Sequence, residues 1–135
     1  MNKYLYRAGK EQNIKTFYPR KPISSHNNNK NIPLLYATDD ISFASGFCFD
    51  WSDNEGFKFG KINNNPWTLH VPTKYLYKLE QKCSIYILKQ DNFIKLKTKT
   101  PEYITYQPTN VIYEIKYKNC LQCLKQNNII LKEIL

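Results

Sequence analysis

The sequence predicts a single α+β domain in which strands outnumber helices. The chain has 135 residues, of which 41% are hydrophobic, and this is enough for one domain with a small core. It contains 11 Tyr and 7 Phe but only 4 Gly, and aromatic residues favour strands. Short apolar runs recur between polar or proline-containing turns, and neither an internal repeat nor a linker divides the chain.

The apolar runs predict the strands in chain order. They are residues 2–8, 34–37, 67–71, 84–88, 103–106 and 111–117. Residues 93–96 are expected to pair with the strand at 84–88. Residues 26–31 and 50–60 are expected to be loops, and residues 129–135 form an apolar tail.

Two segments have helical patterns, with a short helix or an extended segment at residues 75–79 between them. The first helix follows the strand at 34–37, with Thr38 or Asp39 as its N-cap. Its apolar positions recur at helical spacing and are expected to face the core; they are Ile41, Ala44, Phe47 and Cys48. The second helix is predicted around residues 119–126.

The net charge of +9 comes from 20 basic and 11 acidic residues. A positive surface attracts nucleic acid, nucleotides or acidic proteins, although lysines spread over a solvated surface give the same total. Arg7 and Arg20 are the two arginines among many lysines, which indicates a use for the planar guanidinium. Neither a membrane-spanning run nor a signal peptide is evident, so a cytoplasmic protein is expected.

The four cysteines do not form the paired CxxC sets of a zinc ribbon. They are Cys48, Cys83, Cys120 and Cys123. The last two lie in the second helical pattern, which favours reduced core thiols, with a redox or metal pair as the alternative. No metal site is therefore expected.

Three separated blocks carry the functional signal. The first is the strand Tyr4–Gly9, which ends in a basic residue and a glycine. The second is Leu34–Asp40, a corner between a strand and a helix, and the third is Pro101–Tyr106, a strand that begins on the carboxylate Glu102. Blocks of these kinds can converge on one cleft, although each has a simpler structural role as a surface charge, a helix cap or a core residue.

The blocks resemble the ADP-ribosyltransferase superfamily, which includes the compact rifamycin-modifying transferases and the related tRNA phosphotransferases. Members have a first strand that ends in His-Gly or Arg-Gly, and Tyr6–Gly9 is similar. They also have a Tyr-x-Thr or Tyr-x-Ser strand before an Ala-containing helix, and Tyr36–Thr38 followed by Ala44 looks like it. Thr100 stands where arginine-modifying members have Glu or Gln, so an arginine acceptor is not expected.

The resemblance implies a split antiparallel sheet with a few short helices, and NAD as the substrate. Glu102 would be the catalytic carboxylate, which stabilises positive charge on the ribose. The residues that would bind the dinucleotide are Arg7, Ala8, Gly9, Tyr36, Thr38, Phe43 and Phe47. The acceptor of ADP-ribose would be a nucleic acid, a small molecule or a protein.

Two alternatives belong to other functional classes. A basic, aromatic-rich module would bind nucleic acid through exposed tyrosines and lysines. A toxin or phage-type interaction protein would keep the fold without catalysis. The nucleic-acid-binding module has no use for Glu102 in a cleft, and this separates it from a transferase.

Overall fold

The chain is an α+β structure with ten β-strands and two short α-helices in the part that the structure describes. The computed structural model describes residues 3–21 and 32–135, so the loop expected at residues 26–31 lies outside the described residues. The strands are β1 (Tyr4–Gly9), β2 (Thr16–Phe17), β3 (Leu35–Thr38), β4 (Lys58–Gly60), β5 (Thr68–Pro72), β6 (Cys83–Lys89), β7 (Ile94–Lys95), β8 (Glu102–Thr105), β9 (Thr109–Tyr117) and β10 (Ile130–Ile134). The helices are α1 (Ile41–Ser45) and α2 (Cys120–Gln126), and 3-10 turns occupy Asp53–Glu55 and Thr73–Glu80.

The strands form one large and one small sheet. Seven strands pair antiparallel in the order β2-β9-β6-β1-β3-β8-β7, so the first strand lies at the centre. The small sheet has the order β10-β5-β4, in which β10 runs parallel to β5 and β4 runs antiparallel to it. The sheets are thus mostly antiparallel, which is the coarser part of what the family resemblance implies.

Both faces of the large sheet are covered. Successive residues of a strand point to opposite faces, and the neighbours Ile85 and Tyr86 of β6 are both fully buried. The face that bears Ile85 packs against α1, α2 and the small sheet in the first core cluster. The face that bears Tyr86 packs against Phe17 and Phe93 in the second core cluster.

The helix α1 begins one residue later than expected. Asp40 is its N-cap, and the Asp40 carboxylate accepts hydrogen bonds from the backbone N–H groups of Ser42 and Phe43. The Thr38 hydroxyl instead accepts the Asp40 backbone N–H at 3.1 Å. The prediction of Thr38 or Asp39 as the cap is therefore wrong, because both residues belong to the strand end and the turn.

The same helix also ends earlier than its apolar spacing suggests. It stops at Ser45, and Phe47 then lies in an irregular segment with 42% of its surface exposed. The expectation that Phe47 faces the core is therefore wrong, whereas Ala44 and Cys48 are buried as expected. In the second helix the buried residues are Cys120, Cys123 and Leu124, which share one face.

Three pairings differ from the sequence prediction. The short strand β7 pairs with β8 and not with β6, because both sides of β6 are occupied by β1 and β9. The expected loop at residues 50–60 contains β4, and the apolar tail forms β10 against β5. Across residues 3–21 and 32–135, none of the helices combines the length and apolar character that a membrane crossing needs.

Candidate functional site

The large sheet is weakly joined between β1 and β3. These strands share one paired position, Tyr6 opposite Thr38, whereas β1 pairs with β6 over six positions. Past Tyr6 the two strands separate, and the Arg7 guanidinium crosses the gap to donate a hydrogen bond to the Tyr36 carbonyl at 2.8 Å. The separation leaves a cleft beside the end of β1.

The cleft has a volume of about 690 Å³ and is lined by all eight residues that the sequence singles out. They are Arg7, Ala8, Gly9, Tyr36, Thr38, Phe43, Phe47 and Glu102. The first strand, the corner between β3 and α1, and the start of β8 thus meet in space. The shared cleft shows where these residues lie, and their chemical roles stay predictions.

One end of the cleft is cationic. Arg7 lies over the Phe17 ring, with 5.1 Å from the guanidinium carbon to the ring centroid. Burial, together with the nearby Arg20, lowers the pKa of Arg7 to about 10. Both arginines of the chain line the cleft, and Arg20 is held there by backbone hydrogen bonds to Leu34. Two adjacent guanidinium groups form a site suited to a phosphate or diphosphate.

The carboxylate of the cleft lies on a strand. Glu102 is the first residue of β8 and pairs with Thr38 of β3, which in turn pairs with Tyr6 of β1. Directly opposite residues of antiparallel strands project to the same face, so these three residues form a row on one face of the sheet, whereas Arg7, opposite Tyr86, projects to the other face and reaches the cleft at the gap between β1 and β3. The Glu102 carboxylate accepts a hydrogen bond from the Thr100 hydroxyl. Burial, and then the negative charge of Glu102, raises the pKa of the Tyr36 phenol.

The backbone at the end of β1 is accessible from the cleft. A Cβ atom added to Gly9 would meet no other residue within 4 Å, among the described residues, so the protein itself does not require glycine there. Open space beside a backbone N–H and C=O allows a ligand to approach closely. Ala8 and Gly9 therefore leave room for a ligand that contacts the main chain.

The opposite side of the cleft is an aromatic wall formed by Phe43, Phe47 and Trp51. Phe47 and Trp51 stack with ring centroids 5.6 Å apart and an interplanar angle of 16°. Phe43 packs edge-on against Phe47 at 5.1 Å. The Trp51 indole N–H donates to the Gly46 carbonyl at 2.7 Å, which fixes the orientation of the ring. The partly exposed pair offers a flat surface on which a heteroaromatic ring can stack.

Several cleft residues were not predicted from the sequence. The most informative are Tyr6, Phe17, Arg20, Trp51 and Tyr86. The rarity of arginine was a signal for Arg20. Trp51 fell within an expected loop, and Phe17 and Tyr86 reach the cleft only through pairings distant in sequence.

The remaining charged groups of the cleft are one lysine and two carboxylates. Lys10 and Asp50 form an ion pair of 2.8 Å at its edge, where both side chains are largely exposed. Glu11 also lines the cleft and is exposed. Exposed ion pairs of this kind contribute little to stability. The charged groups that lie within the cleft are the two arginines and Glu102.

A second cavity of about 470 Å³ lies between α2, β10 and the turn at Thr73–Glu80, and its wall is mainly leucine and valine. It does not combine a cation, a carboxylate and exposed aromatic rings. The first cleft, which combines these groups, is therefore the candidate functional site.

Comparison of the chain with protein-family models, with curated proteins and with solved structures finds no match.

Proposed function

We propose that the protein is an NAD-dependent ADP-ribosyltransferase-like enzyme that acts on a nucleic acid, a small molecule or a protein. One observation carries the proposal: an arginine pair from one face of the sheet, and a partly exposed aromatic pair and a strand-borne carboxylate from the other, line one cleft. The cleft opens where β1 and β3 separate, which agrees with a split sheet. These are the groups that binding and cleavage of a nicotinamide dinucleotide require.

The cleft can bind each part of the dinucleotide. Its volume of about 690 Å³ lies within the range of small-molecule and cofactor sites. The diphosphate would contact Arg7 and Arg20, since guanidinium groups bind phosphate oxygens in a bidentate manner. The nicotinamide ring would stack on Phe47 and Trp51, and its carboxamide would reach the open backbone at Gly9.

The reaction breaks the bond between nicotinamide nitrogen and ribose C1′. The bonding electron pair leaves with nicotinamide, which becomes neutral, and positive charge develops on the ribose. A fixed carboxylate at Glu102 stabilises that charge without reorganisation during the reaction. The acceptor nucleophile then forms a bond to C1′ and loses its proton to solvent.

The direct test is to incubate the purified protein with NAD and to quantify released nicotinamide by chromatography. Water serves as a slow acceptor in the absence of the natural one, so slow release is expected. Binding is followed independently by the fluorescence of Trp51, which the dinucleotide should quench. A Trp51→Phe variant distinguishes that signal from the second tryptophan, Trp67.

The outcomes separate the functional classes. Release that depends on the folded protein supports the transferase, and labelled NAD with RNA, DNA and protein panels then identifies the acceptor. Binding without release indicates a non-catalytic protein with the same cleft. Absence of both binding and release contradicts the proposal.

Nucleic-acid binding is the second candidate, and it is favoured by the surface and not by the cleft. The net charge is +9, and Tyr18, Tyr77 and Tyr113 are each more than 60% exposed. Exposed tyrosines stack on bases and lysines attract the phosphate backbone. The same surface would also serve a transferase whose acceptor is a nucleic acid.

A further inference from the structure

All four cysteines of the chain meet in one buried cluster. Cys48 lies in the segment after α1, Cys83 is the first residue of β6, and Cys120 and Cys123 lie on α2. Each is 0% exposed, and none is in a disulfide. Three segments distant in sequence therefore bring their thiols to the same point of the core.

The distances between the sulfurs are close to those of a metal site. The Sγ atoms of Cys48, Cys83 and Cys120 all lie within 4.8 Å of one another. Four thiolates around a tetrahedral zinc with bonds of ~2.3 Å have sulfurs about 3.8 Å apart. Movements of about 1 Å or less would therefore bring these three sulfurs to the spacing of a coordination shell.

Cys123 completes the set of four. It lies one turn after Cys120, and residues three apart share one face of a helix. Cys123 is fully buried and belongs to the same core cluster as Cys48, Cys83 and Cys120, so all four side chains lie in one part of the core.

Filling of the core does not by itself explain this arrangement. A core needs apolar volume, which Val, Ala or Leu also supply, and there is no packing reason to gather every cysteine at one point. The pair Cys120 and Cys123 has the CxxC spacing that recurs in zinc sites. The Asn127 amide lies 3.9 Å from the Cys123 sulfur and can donate to a thiolate, as groups around metal ligands do.

We propose that Cys48, Cys83, Cys120 and Cys123 bind one Zn²⁺ ion in a closed structural site. Each S–H loses its proton to solvent, and each sulfur donates an electron pair to form a Zn–S bond. No atom is oxidised or reduced, and four protons leave for each ion bound. The full burial of the cluster leaves no open position for water or substrate, so the ion has a structural role.

The proposed metal site lies next to the wall of the cleft. Cys48 lies between Phe47 and Phe49, and both of these residues line the cleft. Zinc would tie this segment to β6 and α2 and so hold the aromatic wall in position. The proposal does not depend on the identity of the reaction in the cleft.

The first measurement is the metal content of protein purified without chelators and without a polyhistidine tag. Elemental analysis should find about one zinc per chain, and a thiol-modifying reagent should release it. Removal of zinc with a strong chelator should lower Tm, and addition of zinc should restore it. Replacement with Co²⁺ should give the thiolate-to-cobalt charge-transfer absorption and the visible bands of a tetrahedral site.

Variants identify the ligands. Cys120→Ser and Cys123→Ser should each weaken zinc binding about tenfold or more. His70→Ala is a matched control, because the buried His70 Nδ1 has no hydrogen-bond partner within the described part of the chain and is a rival ligand. Leu124→Ala is a second control that disturbs α2 without removing a sulfur. Both controls should keep about one zinc per chain, even though Leu124→Ala should lower Tm.

Two results would overturn the proposal. One is a folded wild-type protein with no zinc, no cobalt charge-transfer band and no change of Tm on addition of zinc. The other is zinc that both cysteine variants retain with wild-type affinity. If the cysteine variants fail to fold, the cobalt spectrum of the wild-type protein decides, since thiolate coordination has its own absorption.

Discussion

Glu102 is the residue whose charge matters most to the proposed chemistry. Glu102→Gln keeps the size of the side chain and its hydrogen bond to Thr100 but removes the negative charge. We expect nicotinamide release to fall about a hundredfold to a thousandfold, because one preorganised electrostatic group is lost. Tm should stay close to the wild-type value, since the side chain is at a strand end and partly exposed.

A matched control tests position against charge. Glu11 lines the same cleft but is not on β8, so Glu11→Gln removes the same charge from another place. We expect Glu11→Gln to release nicotinamide at a rate within about threefold of the wild type. Equal loss in both variants would mean that the net charge of the cleft, and not Glu102 itself, supports the reaction.

Arg7 is a partly buried cation that no carboxylate pairs with among the residues described. Its folded pKa of about 10 lies below the ordinary value of 12.5, because burial and Arg20 disfavour its charge. Between about pH 10 and pH 12.5 the unfolded chain therefore binds more protons than the folded chain. The cost of the buried charge to the free energy of unfolding is fully present below about pH 10 and is relieved as pH rises from there to 12.5. Such a cost at a residue in a cleft is typical of a functional site.

Arg7→Met should accordingly separate stability from binding. At pH 7 we expect a Tm equal to or above that of the wild type, although loss of the hydrogen bond to Tyr36 offsets part of the gain. Dinucleotide affinity, measured by tryptophan quenching, should fall about tenfold to a hundredfold because a charged hydrogen bond is lost. Lys10→Met, at the exposed rim, should bind within about twofold of the wild type. A marked fall of Tm in Arg7→Met would show that Arg7 is mainly structural.

Among the elements, the corner between β3 and α1 has the clearest internal support. Asp40 caps α1, and its second carboxylate oxygen accepts the Trp67 indole N–H at 3.0 Å. Asp40→Ala removes the cap and leaves a buried indole donor without a partner. We expect the free energy of unfolding to fall by about 2 kcal/mol or more, measured by denaturant titration.

The neighbouring carboxylate provides the comparison for this corner. Asp39 is exposed and, among residues 3–21 and 32–135, accepts only the Tyr103 hydroxyl, at the longer distance of 3.3 Å. Asp39→Ala should therefore change the free energy of unfolding by less than about 1 kcal/mol. If the two alanine variants were equally stable, the cap and the indole contact would not be what fixes the corner.

The sequence predicts elements well where period and propensity agree. The strands β1, β3, β5, β6, β8 and β9 lie within a few residues of the expected ranges. It fails where a short element exists only through its partner: β4 is three residues long and β10 has an unremarkable pattern, and both are held by β5. The early end of α1 coincides with its C-cap Gly46, where the Phe59 ring leaves no room for a Cβ atom, and that contact is distant in sequence.

At the scale of the whole molecule, only part of the candidate cleft can be predicted from the sequence. The resemblance to a family singles out Arg7, Thr38 and Glu102 for the same cleft, because each lies on a predicted strand or at its end. Arg20 and Trp51 come from irregular segments, whose paths depend on contacts distant in sequence. The cluster of four cysteines could not be predicted for the same reason. The sequence spacing relates Cys120 to Cys123 on α2, but it does not relate either of them to Cys48 or Cys83.

The surface charge gives a prediction that concerns the whole molecule. If a nucleic acid is the partner or acceptor, its affinity should fall steeply as salt rises, because binding releases counterions. Fluorescence polarisation with a labelled oligonucleotide over a series of salt concentrations measures the slope. A matched uncharged backbone analogue should not bind. Failure of the oligonucleotide to bind even at low salt would leave the +9 charge as a property of a solvated surface.

The central position of β1 has a consequence for how the chain is made. The strand is synthesised before its main partner, β6, which follows at residues 83–89, and α2 and β10 complete the first core and the small sheet later still. A growing chain therefore carries β1 without its main partner until residues near 89 have left the ribosome, and β6 waits for β9 until residues near 117 follow. Pairings between strands so distant in sequence form slowly. During synthesis the protein is thus exposed to aggregation, and its yield in cells should depend on chaperones.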